Sequence, residues 1–192
     1  NAVAISGDRC IVGAYVESDA GGDESGKAYI FDVTDGSLLF TLDNPDVSSA
    51  VGGGDRFGTS VAISGDRCIV GAPEEDDGGT SSGTAYIFDV TDGSLLFTLD
   101  NPNDFNTPTG DDFGISVAID GDRCIVGAPE EDDVFDASTG RAYIFDVTDG
   151  SLLFTLENPD RDNLGNRLSF SDFGEAVDIS GDRCVVGAST IT

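Results

Sequence analysis

One phrase, Gly-Asp-Arg-Cys, returns four times along the chain, starting at Gly7, Gly65, Gly121 and Gly181. A longer one, YIFDVTDGSLLFTL, returns three times, from Tyr29, Tyr86 and Tyr143, at a constant interval of 57 residues. One acidic residue after each long phrase stands an Asn-Pro pair: Asn44-Pro45, Asn101-Pro102 and Asn158-Pro159. The 192 residues therefore hold three full units and the first half of a fourth. A repeated unit of this size buries its apolar residues mainly against its neighbours, so the period governs the whole fold.

Within a unit the pattern predicts four short strands. In the second they run from Ser60 to Ser64, Arg67 to Ala72, Thr84 to Val90 and Ser94 to Leu99. In the first they are expected at about 2–6, 9–14, 27–33 and 37–42 by the same pattern. Gly65-Asp66 reads as one tight turn and Asp92-Gly93 as a hairpin signal. Pro102 stops the last strand. No 3.6-residue apolar period persists, so helix is not expected.

Four antiparallel strands per unit, repeated, predict an all-β chain built as a β-propeller of four-stranded blades, with about three and a half blades present. The expected blades are 1–45, 57–102 and 113–159, with a half blade at 173–192. A β-sandwich or a β-solenoid is the rival. A sandwich keeps one polar outer face, whereas here Ile69 and Val70, and Leu95, Leu96 and Phe97, put apolar residues on both faces of strands two and four. The alternation of strand direction sends both tight turns to one face and all long connections to the other. The long-loop face is the expected binding face. An isolated chain of this length would leave strand edges at Ser180 to Ala188 and two apolar end faces uncovered, so a longer parent chain or an assembly is expected.

Composition narrows the chemistry. There are 37 Asp and Glu against 9 Lys and Arg, a net charge of -28. Such a surface repels nucleic acid and anionic lipid. Histidine is absent, which excludes histidine-based zinc sites and Ser-His or Cys-His nucleophile systems. No apolar run is long enough for a membrane-spanning helix, so direct membrane insertion is not expected.

Phe57-Gly58 leads into the first strand of the second unit, and Gly71-Ala72-Pro73 closes its second strand. The third unit has Phe113-Gly114 and Gly127-Ala128-Pro129; the fourth has Phe173-Gly174 and Gly187-Ala188-Ser189. The first keeps only Gly13-Ala14-Tyr15. These signatures resemble the FG-GAP repeat family, the repeat of integrin alpha-subunit propellers and of secreted bacterial and algal proteins. The resemblance implies a seven-bladed propeller, an extracellular or cell-surface location, and a role in adhesion or matrix assembly. The integrin-type repeat carries a calcium loop between its two signatures. Here that interval holds single carboxylates, Asp8, Asp66, Asp122 and Asp182, and one carboxylate cannot supply six to eight oxygen ligands. The family's calcium site is therefore not carried over to them, and Asp66 is expected to serve its own turn.

The acids that could hold a cation lie in the long loops: Asp19, Asp23 and Glu24; Glu74, Glu75, Asp76 and Asp77; Glu130, Glu131, Asp132, Asp133 and Asp136. Oxygen-rich loops suit Ca2+. They match no strict calcium spacing, and a solvated acidic surface is the alternative. The four cysteines, Cys10, Cys68, Cys124 and Cys184, occupy one repeat position and are expected to be unpaired small hydrophobes. Arg9, Arg67, Arg123 and Arg183 each follow an Asp, which suggests a local pair beside the turn. Tyr29, Tyr86 and Tyr143 are expected to pack between blades.

The function these features favour is a non-enzymatic extracellular structural or adhesion module that engages protein partners, the remaining blades of a longer chain or further copies of itself, with calcium assistance. A carbohydrate- or peptide-binding module on the long-loop face is the alternative, although those loops hold few aromatics, Phe105 and Phe135 among them. A calcium-dependent enzyme using paired carboxylates is a third reading.

Overall fold

The computed structural model describes residues 2–18, 24–46, 54–76, 79–103, 110–132, 139–159 and 171–189. They form fourteen strands and no helix. The first sheet holds β1 (Val3–Ser6), β2 (Arg9–Ala14), β3 (Lys27–Asp32) and β4 (Leu38–Asp43). The second holds β5 (Ser60–Ser64), β6 (Arg67–Ala72), β7 (Thr84–Asp89) and β8 (Leu95–Asp100). The third holds β9 (Ser116–Asp120), β10 (Arg123–Ala128), β11 (Arg141–Asp146) and β12 (Leu152–Glu157). A fourth, two-stranded sheet pairs β13 (Val177–Ser180) with β14 (Arg183–Val186). Each full sheet is ordered as the chain runs, with every neighbour antiparallel. This is part of a β-propeller.

The core lies between the sheets. Strand alternation sends Cys68 and Val70 toward the first sheet, where they join Ile11, Ile30 and Leu42. It sends Ile69, between them, toward the third, where it joins Cys124, Val126 and Tyr143. β6 is consequently buried on both faces, as expected. β8 is not: Leu95 is 42% exposed, and only Leu99 in that strand is buried. It is the outermost strand of its sheet and its neighbours cover it only in part, with Leu96 and Phe97 half-buried against the joint.

β8 also starts one residue later than the sequence pattern suggests. Asp89 accepts from the Thr91 amide and hydroxyl, and Asp92 accepts from the Ser94 amide. These side-chain turns widen the expected hairpin into a loop from Val90 to Ser94, with a bulge between Ile87 and Phe88.

The two glycine signatures meet across the joints. Gly58 donates its amide to the Gly71 carbonyl of its own sheet, at 3.0 Å. Its carbonyl lies so close to Gly13 of the preceding sheet that a Cβ there would be 2.0 Å from the oxygen. Gly114 sits on Gly71 in the same way, and Gly174 on Gly127. Ser60 and Ser116 each donate a hydroxyl hydrogen bond, at 2.7 Å, to the Gly114 and Gly174 carbonyls. The phenylalanine before each glycine is buried, Phe57 against Tyr86 and Phe88, and Phe113 against Tyr143 and Phe145. Phe-Gly thus anchors in its own sheet and seats its backbone on the one before.

A Cβ at residue 71 would lie 1.9 Å from the Gly114 oxygen, so Gly71→Ala must push two sheets apart. It should cost at least about 2 kcal/mol in urea unfolding. Gly121→Ala, at φ +58° with open space around it, should cost only about 1 kcal/mol, from backbone strain. Equal losses would contradict the close approach.

Candidate functional site

The long-loop face is built on a turn that leaves each second strand. After Ala72 the chain bends, the Glu75 amide donating to the Ala72 carbonyl at 3.3 Å. The Glu75 carbonyl accepts from Gly83, which returns the chain to β7. Glu131 makes the same contacts with Ala128 and Gly140, and Glu17 with Ala14 and Gly26. The turn aims each carboxylate at the tyrosine of the next strand. Tyr29 donates to Glu17, Tyr86 to Glu75 at 3.3 Å, and Tyr143 to both oxygens of Glu131 at 2.7 and 2.6 Å. Glu17 is exposed, whereas Glu75 and Glu131 are fully buried.

The links between sheets form the cover. Asn44 donates to Asp55 at 2.7 Å, and Asn101 and Asn103 donate to Asp111 at 2.8 and 3.0 Å. In the third link Asn158 donates to the Ser171 hydroxyl instead. The Asn of each Asn-Pro pair is therefore a polar partner for the residue two places before Phe-Gly.

Charge is balanced differently in the two complete joints. Glu75 faces Asp55 and Asp46, and the residue at the head of its β7 is Thr84. Burial, then the Asp55 and Asp46 carboxylates, push the Glu75 carboxyl up to about 8. Glu131 has Arg141 in the place of Thr84, and the two form a buried ion pair. Burial still pushes Glu131 up to about 7, against the opposing pull of Tyr143 and Arg141. The first joint has its arginine elsewhere: Arg56 bonds Glu74 at 2.7 Å and lies 3.7 Å from Glu24. The equivalent of Arg56 in the second joint is Asp112. Burial and the neighbouring Glu130 and Glu74 push its carboxyl up to about 6.

Of the candidate cation ligands, Asp19, Asp23, Asp77, Asp133 and Asp136 lie outside the described residues, as do Phe105 and Phe135. Glu24 and Glu74 come together on Arg56. Glu75 and Glu131 turn inward to their tyrosines, in separate joints. Asp76 accepts from the Ser81 amide, and Glu130 is exposed. Burial raises the Asp111 carboxyl above its ordinary value, with a smaller push from Asp132 and against the Asn103 and Asn101 donors. Among the described residues, no group of three or more Cys, Asp or Glu is placed to hold a metal ion. The Glu–Tyr pairs were not anticipated from the sequence. Their signal was the acid that recurs 11 or 12 residues before each tyrosine.

The opposite face corrects the expected Arg–Asp pairing. Arg9 reaches Asp66 of the next sheet at 3.9 Å, and Arg123 reaches Asp182 at 3.6 Å. The turn brings each Asp toward the preceding sheet, and its carbonyl, as at Asp66 with Val90, secures its own unit. Turn amides follow the same rule: Gly65 donates to Ser6, and Gly121 to Ser64, both at 3.2 Å. The four cysteines are unpaired, and burial pushes the Cys68 and Cys124 thiols up to about 12.

With the signatures now placed in space, comparison with known proteins agrees. The FG-GAP repeat model matches residues 1–31, 47–88 and 106–145, more than half of the chain. The chain belongs to the FG-GAP repeat family. No curated protein matches it. FG-GAP repeats occur in adhesion and propeller modules, typically in extracellular or surface proteins, and such propellers are generally non-enzymatic. No helix among the described residues is long and apolar enough to cross a membrane.

Two measurements follow from the joints. Arg141→Thr strands Glu131 in a buried site and should cost about 3 to 5 kcal/mol. The raised Glu75 and Glu131 carboxyls bind protons more tightly folded than unfolded. Their contribution is full below the ordinary value of 4.5, and is lost as pH rises toward about 7 for Glu131 and about 8 for Glu75. Denaturation midpoints should accordingly fall between about pH 5 and pH 8, and Glu75→Gln should flatten the upper part of that fall. A midpoint that rises over this range would contradict the assignment.

Proposed function

We propose that this chain is a non-enzymatic structural or adhesion module, extracellular or on the cell surface, that meets protein partners through its long-loop face. The observation that carries this reading is the use of the carboxylates on that face. Glu75 and Glu131 are buried on tyrosines, and Glu24 and Glu74 are tied by Arg56. Glu75 and Glu131 fasten the long loops to their own sheets, the Arg56–Glu24 pair links two sheets, and together they make this face a rigid, acidic platform. An antibody against the 192-residue chain should label intact, unpermeabilised source cells or their surrounding matrix. Labelling only after permeabilisation would overturn the reading.

Calcium assistance belongs to the same proposal. The ion would be held by the acid-rich loops and not by Asp8, Asp66, Asp122 or Asp182, which face arginines or solvent on the other side. Calorimetric titration of calcium chloride into the chain should show heats that weaken when Glu74, Asp76 and Asp77 are neutralised together. Unchanged heats in that variant would remove the loops as the site. Further blades of the same chain are the proposed partners of the end faces.

A further inference from the structure

On the tight-turn face, two of the three joints are bridged by the arginine that opens the second strand of a sheet. Arg9 reaches Asp66 at 3.9 Å, and Arg123 reaches Asp182 at 3.6 Å. The middle joint breaks the series. Arg67 opens β6 and shares the face of Ile69, which looks toward the third sheet. Its counterpart across the joint is Asp122, yet among the described residues neither one forms an ion pair. The Thr148 donors hold the Asp146 carboxyl of the third sheet below its ordinary value, and Arg67 adds to that from across the joint. The guanidinium therefore leans over the joint without closing on Asp122.

Between the two lies a cavity of about 410 Å³. Ser64, Asp66, Arg67 and Asp89 of the second sheet line it, with Gly121 and Asp122 of the third. Its volume falls within the range of about 300 to 1,000 Å³ usual for small-molecule sites. Both walls belong to complete four-stranded sheets with a neighbour on each side. The walls are pinned to each other, since the Gly121 amide donates to the Ser64 hydroxyl at 3.2 Å. Asp89 is oriented by accepting from the Thr91 amide and hydroxyl through one of its oxygens. Asp66 turns back toward Arg9.

The charges of the lining select the occupant. A simple anion would meet Arg67 but would be repelled by three carboxylates. A simple amine would meet a carboxylate and leave the guanidinium without an acceptor. A basic amino acid answers both. Its carboxylate can accept two parallel hydrogen bonds from a guanidinium, and its ammonium groups can donate to carboxylates on the opposite wall.

We propose that this cavity binds a free basic amino acid of the lysine type, its carboxylate on Arg67 and its ammonium groups on Asp122 and Asp89. The site lies on the face opposite the acid-rich loops, so the inference stands without the proposed role of those loops.

Isothermal titration of the 192-residue chain with L-lysine, in EDTA and at physiological salt, should give saturable one-to-one binding. Cadaverine, which lacks the carboxylate, should bind at least about tenfold more weakly. Arg67→Gln should remove that preference by lowering the affinity for L-lysine to that for cadaverine. Asp122→Asn should weaken both ligands. Asp149→Asn, on a hairpin of the same face outside the cavity, should change neither, which separates the site from the general attraction of cations to an acidic surface. Asp122 is exposed and Arg67 partly so, and unchanged circular dichroism will show that the sheets are kept. Any of four results would overturn the proposal: no saturable binding of L-lysine, cadaverine binding as tightly, a preference that survives Arg67→Gln, or equal losses in Asp149→Asn and Asp122→Asn.

Discussion

The structure depends on a backbone contact that only glycine permits. The carbonyl of the glycine in Phe-Gly rests on the glycine of the preceding Gly-Ala, closer than any Cβ would allow. The same Phe-Gly amide is bonded within its own sheet, so one residue is shared between two units. Nothing in this contact is apolar, yet it sets the separation at which the apolar joints close. Ile11, Ile30 and Leu42 can reach Cys68 and Val70 because the backbones have come that near. Without it the joints would hold the hydrophobic residues of two sheets at a distance that forfeits packing.

Acidity is the second constraint. With 37 acidic residues and 9 basic ones, the chain cannot match its carboxylates with cations. It disposes of some by burial with a proton or a hydroxyl donor, as at Glu75 and Tyr86. It spends its few arginines at the joints. Arg56 gathers Glu24 and Glu74, Arg141 neutralises Glu131, and Arg9 and Arg123 cross to the turn acids of the following sheet. Arg9, Arg56 and Arg123 reach acids of a neighbouring unit, whereas Lys27 and Arg141 hold acids of their own sheets.

Much of this was legible from residues. The bounds of β5 and β6 follow from alternation and the Gly65 turn, and the burial of Ile69 and Val70 from the requirement that neighbours cover both faces. The start of β8 was not, because the side-chain turns at Asp89 and Asp92 compete with the ladder. The exposure of Leu95 reflects its place in the outermost strand, which neighbours cover only in part and which a one-dimensional pattern does not encode. The site was less legible still. Glu75 and Glu130 look alike in sequence, yet one is fully buried and the other exposed. The difference comes from the bend after Ala72 and from the cover supplied by another unit. The reach of Arg9 to Asp66 is hidden for the same reason: its partner is 57 residues away, not one.

The seating of one glycine on another has an architectural corollary. It is made by main-chain atoms, so the angle through which one sheet follows the next is independent of most side chains. The loops between Pro73 and Gly83, and between Pro129 and Gly140, begin and end on this invariant frame. Apart from Glu75 and Glu131, which fasten these loops to their tyrosines, length and composition can change without turning any sheet relative to its neighbour. The chain thus separates two kinds of information. A short backbone code, repeated every turn of the array, carries shape; the segments between its copies are left free to carry identity.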